Sequence, residues 1–142
     1  MEITSKNLKE TCAIAANLAH KAKPGDHFGL SGDLGSGKTA FVKCFARALG
    51  IAEEITSPTF VVLKVYPFVH NFSEAKLVHV DAYRLESIKD AEAVGLLEFM
   101  ADPSVIVVIE WPEKIFGSDN RNLKMINFEY LDEERRKINI HF

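Results

Sequence analysis

The chain is poor in cysteine. Cys12 and Cys44 are its only two in 142 residues, too few for a disulfide-stapled scaffold or a cysteine metal cluster. Both fall in helix-like stretches, so the expectation is two reduced, buried, small apolar side chains in a reducing compartment. No apolar run approaches the ~18 residues that span a bilayer. The opening MEITSKNLKE lacks an apolar core flanked by positive charge, which argues against a signal peptide. A cytoplasmic location without membrane contact is therefore expected. There is no excess of positive charge either. The formal net charge is −3, which argues against non-specific nucleic-acid binding by the whole surface. His20, His27, His70, His79 and His141 show no metal-like spacing, and each reads as a surface or structural residue. Repeats, low-complexity segments and linkers are absent, and the length suits one domain over residues 1–142.

What is present is a chain of ordinary globular composition, 47% apolar and 26% charged. After a short extended piece, Leu8, Thr11, Ala15, Leu18, Ala19 and Ala22 form one helical stripe. Asn7 followed by Glu10 resembles a capping box, and Pro24-Gly25 stops that helix. HFGLSG reads as a strand, KTAFVKCFARALG as a helix closed by Gly50, and TFVVLKVYPF as a strand rich in β-branched and aromatic residues. AKLVHVD and SVIVVIE are apolar runs that each end in an acid, with one or two short helices between them. The tail alternates as two strands around the charged turn LDEERR. Intermixed strands and helices with buried apolar runs predict an α/β fold. Its sheet is mixed, flanked by helices on both faces, with antiparallel strands added late.

GDLGSGKT, Gly32 to Thr39, fits the pattern G-x-x-x-x-G-K-S/T in full. Its glycines permit backbone angles and close approaches that a side chain would block. Successive N–H groups then converge on phosphates at the positive end of the following helix. Lys38 offers a mobile cation to the β and γ phosphates, and the Thr39 hydroxyl can ligate Mg²⁺. A strand before the loop and an amphipathic helix after it supply the context this mechanism needs. Nucleotide binding is the expectation.

Such a loop needs an acid near the metal, usually at the end of a neighbouring buried strand. Asp81 and Glu110 both qualify. Spacing alone leaves ligand and base unassigned, although Asp is the usual metal-side residue, which favours Asp81. Trp111 is either a core or edge aromatic, or a cover beside the phosphates. ITSPTF, Ile55 to Phe60, places Ser57 and Thr59 around Pro58, where regulated nucleotide hydrolases carry a hydroxyl-bearing switch. Arg84 is either a charge-stabilising arginine or a structural ion-pair partner. The guanine-reading N-K-x-D pattern is absent, which disfavours a GTPase. No arginine-rich lid insertion is present, which disfavours a small-molecule or nucleoside kinase and leaves it as the alternative. A minimal ATPase that changes the conformation of something else remains.

GDLGSGKT, SPTF, HVDAYRL and VIEWPE, in that order, resemble the TsaE (YjeE) family of bacterial ATPases over nearly the whole chain. The last three motifs are not shared by phosphate-loop proteins at large. The resemblance implies a phosphate-loop fold and a role in forming N6-threonylcarbamoyladenosine at position 37 of tRNA. It also implies work on the TsaD–TsaB pair, with tRNA met only through that complex. ATP or ADP and Mg²⁺ are the implied cofactors. Leu34, Gly35, Ser36, Gly37, Lys38 and Thr39 would wrap the phosphates. Thr39 and Glu110 would hold the metal, which reverses the assignment favoured by Asp alone. Asp81 would position the attacking water, and Thr59 would be the switch threonine. Trp111 would lie beside the site, and Leu8 and Thr11 would border the adenine. Arg136 would be the late arginine near the nucleotide. EERRKI lacks the glycine that often precedes this arginine, so the choice between Arg135 and Arg136 stays open on sequence.

Overall fold

The computed structural model describes residues 1–56 and 62–142. Ser57, Pro58 and Thr59 therefore lie outside the described residues, and the proposed switch segment with them. The elements are β1 (Glu2–Ser5), α1 (Leu8–Lys21), β2 (His27–Ser31), α2 (Lys38–Ala48), β3 (Leu63–His70), β4 (Ser73–Asp81), α3 (Ile88–Ala93), α4 (Leu96–Ala101), β5 (Val105–Glu110), α5 (Glu113–Phe116), β6 (Lys124–Tyr130) and β7 (Arg136–Ile140).

These segments follow from local chemistry. The Asn7 side chain accepts from the Glu10 N–H at 2.9 Å and starts α1. The reciprocal bond of the capping box is displaced by one residue, because Glu10 accepts from the Lys6 N–H at 2.7 Å rather than from Asn7. Every residue of β5 is buried, as its unbroken VIVVIE run requires of a strand covered on both faces.

The seven strands form one mixed sheet in the order β1-β7-β6-β2-β5-β4-β3. β6, β2, β5 and β4 run parallel. β7 and β1 extend one edge antiparallel, and β3 extends the other. This is the phosphate-loop type of α/β fold, with the late antiparallel pair where the charged turn predicts it. The antiparallel β3–β4 hairpin on the opposite edge is an addition to that expectation. It turns through Asn71 and Phe72 at φ of 48° and 65°, a two-residue loop of the kind that needs positive φ at both central positions.

Two apolar layers cover the sheet. On one face Ala15, Leu18 and Ala19 of α1 and Phe41, Val42 and Phe45 of α2 pack on Phe28, Leu30, Leu77, Ile106 and Val108. On the other, Ala91, Leu96 and Ile115 of α3, α4 and α5 pack on Val78, Val80, Val105, Val107 and Ile109. The alternation along β4 and β5 sets the site. Leu77 and Ile106 face the α1–α2 layer, so His79, Asp81 and Glu110, at even spacing from them, point to that same face.

One expectation is overturned. Cys12 and Cys44 are joined as a disulfide, with Cα atoms 5.0 Å apart, and no free cysteine remains. The physical reason is that α1 and α2 pack side by side and bring one cysteine from each helix within bridging distance. Cys44 is buried and Cys12 half-buried. No helix among the described residues is long and apolar enough to cross a membrane.

Candidate functional site

The site lies where the parallel strands end. β2 delivers the chain into the loop Gly32–Gly37, and α2 begins at Lys38. Gly32 has φ 150°, and a Cβ there would meet the Phe128 carbonyl oxygen at 2.5 Å. Gly37, at φ 103°, caps α2 and lies 3.1 Å, measured from an added Cβ, from Arg136 Nε. Neither position accepts a side chain without displacing its neighbours.

Lys38 is 4% exposed. Its ammonium donates to the carbonyls of Gly32 and Asp33 and reaches Ser36 Oγ at 3.4 Å. It also stands 4.2 Å from the centre of the Trp111 ring, a cation–π distance. Burial pushes its pKa below the ordinary lysine value, against the opposing pull of Glu110, Glu113, Asp33 and Asp81. A cation held by its own loop's carbonyls is ready to exchange them for anionic oxygens.

Asp81 and Glu110 are register partners at the ends of adjacent parallel strands. They are not equivalent. Glu110 is 2% exposed. Its Oε1 accepts from Thr39 Oγ1 at 2.9 Å, and its Oε2 accepts from His79 Nε2 at 2.6 Å. Asp81 is half-buried and its Oδ1 accepts from the Tyr83 N–H at 3.1 Å. Trp111 has φ 61° and donates its N–H to Leu30 O at 3.0 Å, which turns its ring into the site. Tyr83 packs on it with ring centroids 5.1 Å apart.

Two cavities meet at Gly37 and Ala40. One, of about 300 Å³, is lined by Leu34, Gly35, Lys38, Thr39, Asp81, Tyr83, Glu110 and Trp111. The other, of about 360 Å³, is lined by Asn7, Leu8, Lys9, Thr11, Glu133, Glu134 and Arg136. Leu8 is 61% exposed on its wall, whereas Thr11 is buried with its hydroxyl 2.7 Å from Ser5 Oγ. Ser36 is fully buried and Leu34 projects outward. Arg136 donates to the Asp132 carbonyl at 2.7 Å and faces Gly37, while Arg135 is engaged by the Asp132 carboxylate at 2.6 Å.

The donor set suits a nucleotide with a hard cation. A hydroxyl and a carboxylate oxygen lie within hydrogen-bond distance, at the mouth of a loop whose glycines leave room for phosphates. Among the described residues no cluster of three His, Cys, Asp or Glu could hold a metal alone. His79 is the residue sequence reasoning misses. The available signal is a histidine two residues before an acid inside an otherwise apolar strand, which places both on one face.

A family model for the threonylcarbamoyl adenosine biosynthesis protein TsaE matches residues 5–138. The chain belongs to the TsaE family. The tRNA threonylcarbamoyladenosine biosynthesis protein TsaE of Borreliella burgdorferi is 41% identical over 113 residues, covering 80% of this chain and 79% of that protein. The TsaE protein of Bacillus subtilis is 45% identical over 109 residues, covering 77% of this chain and 65% of its own length. The crystal structure of Bacillus subtilis YdiB superposes with a TM-score of 0.69 at 33% identity, covering 99% of this chain and 83% of that one. Membership in TsaE carries the role in threonylcarbamoyladenosine biosynthesis.

Proposed function

We propose that this TsaE-family chain is a Mg²⁺-dependent ATPase of the cytoplasm. It supports turnover of a TsaD–TsaB complex in making N6-threonylcarbamoyladenosine on tRNA, and meets tRNA only through that complex. One observation carries the reading: the Thr39 hydroxyl lies 2.9 Å from Glu110 at the mouth of a complete phosphate loop, with buried Lys38 beside it.

The residues divide the work. Backbone N–H groups from Leu34 to Thr39 and the Lys38 ammonium would hold the phosphates. Thr39 and Glu110 would hold Mg²⁺, which neutralises phosphate charge when bound. Asp81, half-buried and opposite Glu110 in register, would accept a hydrogen bond from an attacking water. Leu8, Thr11 and Arg136 border the second cavity, which suits the base and ribose of ATP or ADP. Leu34 is 68% exposed and Tyr83 44% exposed on the rim of the phosphate cavity. Among the described residues that rim is open to solvent, and electrostatic stabilisation is weak in water. Hydrolysis by the isolated chain is therefore slow, and a partner that covers the rim accelerates it.

Steady-state ATP hydrolysis with Mg²⁺, alone and then with TsaD and TsaB of the same source, tests this. Strong stimulation is expected. Equal slow rates in both conditions would sink the partner-activated reading. The kinase alternative predicts instead that phosphate appears on an added nucleoside acceptor.

A further inference from the structure

His79 occupies the middle of β4, inside the apolar run LVHV, and is 0% exposed. Burying an imidazole without compensation is costly. Its side chain has one hydrogen-bond partner among the described residues, Glu110 Oε2, at 2.6 Å. Its other nitrogen, Nδ1, is buried with none. With Glu110 as a carboxylate, which only accepts, Nε2 is the nitrogen that donates to it. Among the described residues no other hydrogen bond competes for the orientation of the ring. Glu110 in turn has both oxygens committed, Oε2 to His79 and Oε1 to the Thr39 hydroxyl. The three side chains form a line from the sheet's interior to the first turn of α2.

We propose that His79 is a positioning residue: it anchors Oε2 of Glu110 so that Oε1 faces Thr39 and a divalent cation beside it, and thereby sets the cation affinity of the nucleotide-loaded site. The inference rests on the reading of Thr39 and Glu110 as metal ligands. A carboxylate free to rotate presents its oxygens to the cation only part of the time. Outer hydrogen bonds to metal ligands commonly set affinity for this reason. His79 touches neither phosphate nor water in this arrangement, so phosphate binding without a cation does not depend on it.

ADP binding tests this, followed by the fluorescence of Trp111, the chain's single tryptophan. It is measured in EDTA and then across a Mg²⁺ series. His79→Leu is expected to keep its EDTA affinity within about twofold and to need about ten- to a hundredfold more Mg²⁺. His79→Gln, whose amide N–H reaches about as far as Nε2, is expected to stay within about threefold of the wild type. His79→Asn, one bond shorter, is expected to shift as the leucine variant does. In a Glu110→Ala background His79→Leu should add nothing further, because the group it holds is gone. An unshifted Mg²⁺ midpoint in the leucine variant overturns the proposal. So does an equal loss of binding in EDTA, which marks a purely structural role. If the leucine variant fails to fold, the Gln–Asn pair carries the test, and identical midpoints for those two overturn it. A wild type that binds no ADP in either buffer contradicts the nucleotide reading itself, and the inference falls with it.

Discussion

The ends of β4 and β5 present two acids in register, and their surroundings differ in kind. Glu110, at the end of β5, is buried, and each carboxylate oxygen has a side-chain donor from another element. Asp81, at the end of β4, is half-buried and accepts from the N–H of Tyr83 in its own turn. A buried carboxylate held at both oxygens has one geometry, which suits a cation that demands fixed ligand positions. Asp81 is a half-buried acid on the wall of the same cavity. The residue type alone pointed the other way, toward Asp81 as the metal-side acid. The surroundings support the proposed division, with Glu110 on the metal side.

Three substitutions probe this comparison. The largest effect is expected from Lys38→Ala, which removes the cation that both acids face. Hydrolysis should fall by on the order of 10³-fold in a phosphate-release assay, whatever the state of Asp81 or Glu110. The next concerns stability. Glu110→Ala strands the buried Nε2–H of His79 and should cost about 1–3 kcal/mol in denaturant melts. Asp81→Ala should cost less than Glu110→Ala, because Asp81 is half-buried and Glu110 is buried. Equal costs would break the distinction between the two strand ends.

The smallest effect concerns a third acid, Asp132, which separates hydrogen bonding from burial. It lies in the β6–β7 turn, and its pKa is pushed down to about 2, first by the backbone N–H and then by the side chain of Arg135. Its folded value lies below its unfolded value, so its contribution is complete above about pH 4 and disappears as pH falls toward 2. Asp132→Asn should flatten the acid limb of the stability curve in that window. It should leave Mg²⁺ dependence unchanged, because the Asp132 carboxylate binds the turn residues Glu134 and Arg135 and not Thr39 or Glu110.

The loop and the strands feeding it were legible because their signals are local. The glycine spacing with Lys38-Thr39, and each apolar run with the acid that ends it, fits within about ten residues. The β3–β4 pairing was less so, since its turn uses Asn71 and Phe72 where positive φ usually selects glycine. His79 was read as a surface or structural residue because its value lies in a contact with a residue 31 positions away. The Cys12–Cys44 bridge has the same origin: two helices must pack before the cysteines meet. Arg136 separates from Arg135 only once β7 fixes which of them faces Gly37.

The most direct measurement separates binding from turnover in two near-isosteric variants, Asp81→Asn and Glu110→Gln. ATP affinity across a Mg²⁺ series and single-turnover hydrolysis would be followed in each. The account predicts that Asp81→Asn binds Mg²⁺ and ATP like the wild type and hydrolyses about 10²-fold more slowly. It predicts that Glu110→Gln needs more Mg²⁺ to reach the same affinity. The reverse pattern, with the Mg²⁺ requirement moved by Asp81→Asn and not by Glu110→Gln, would contradict it.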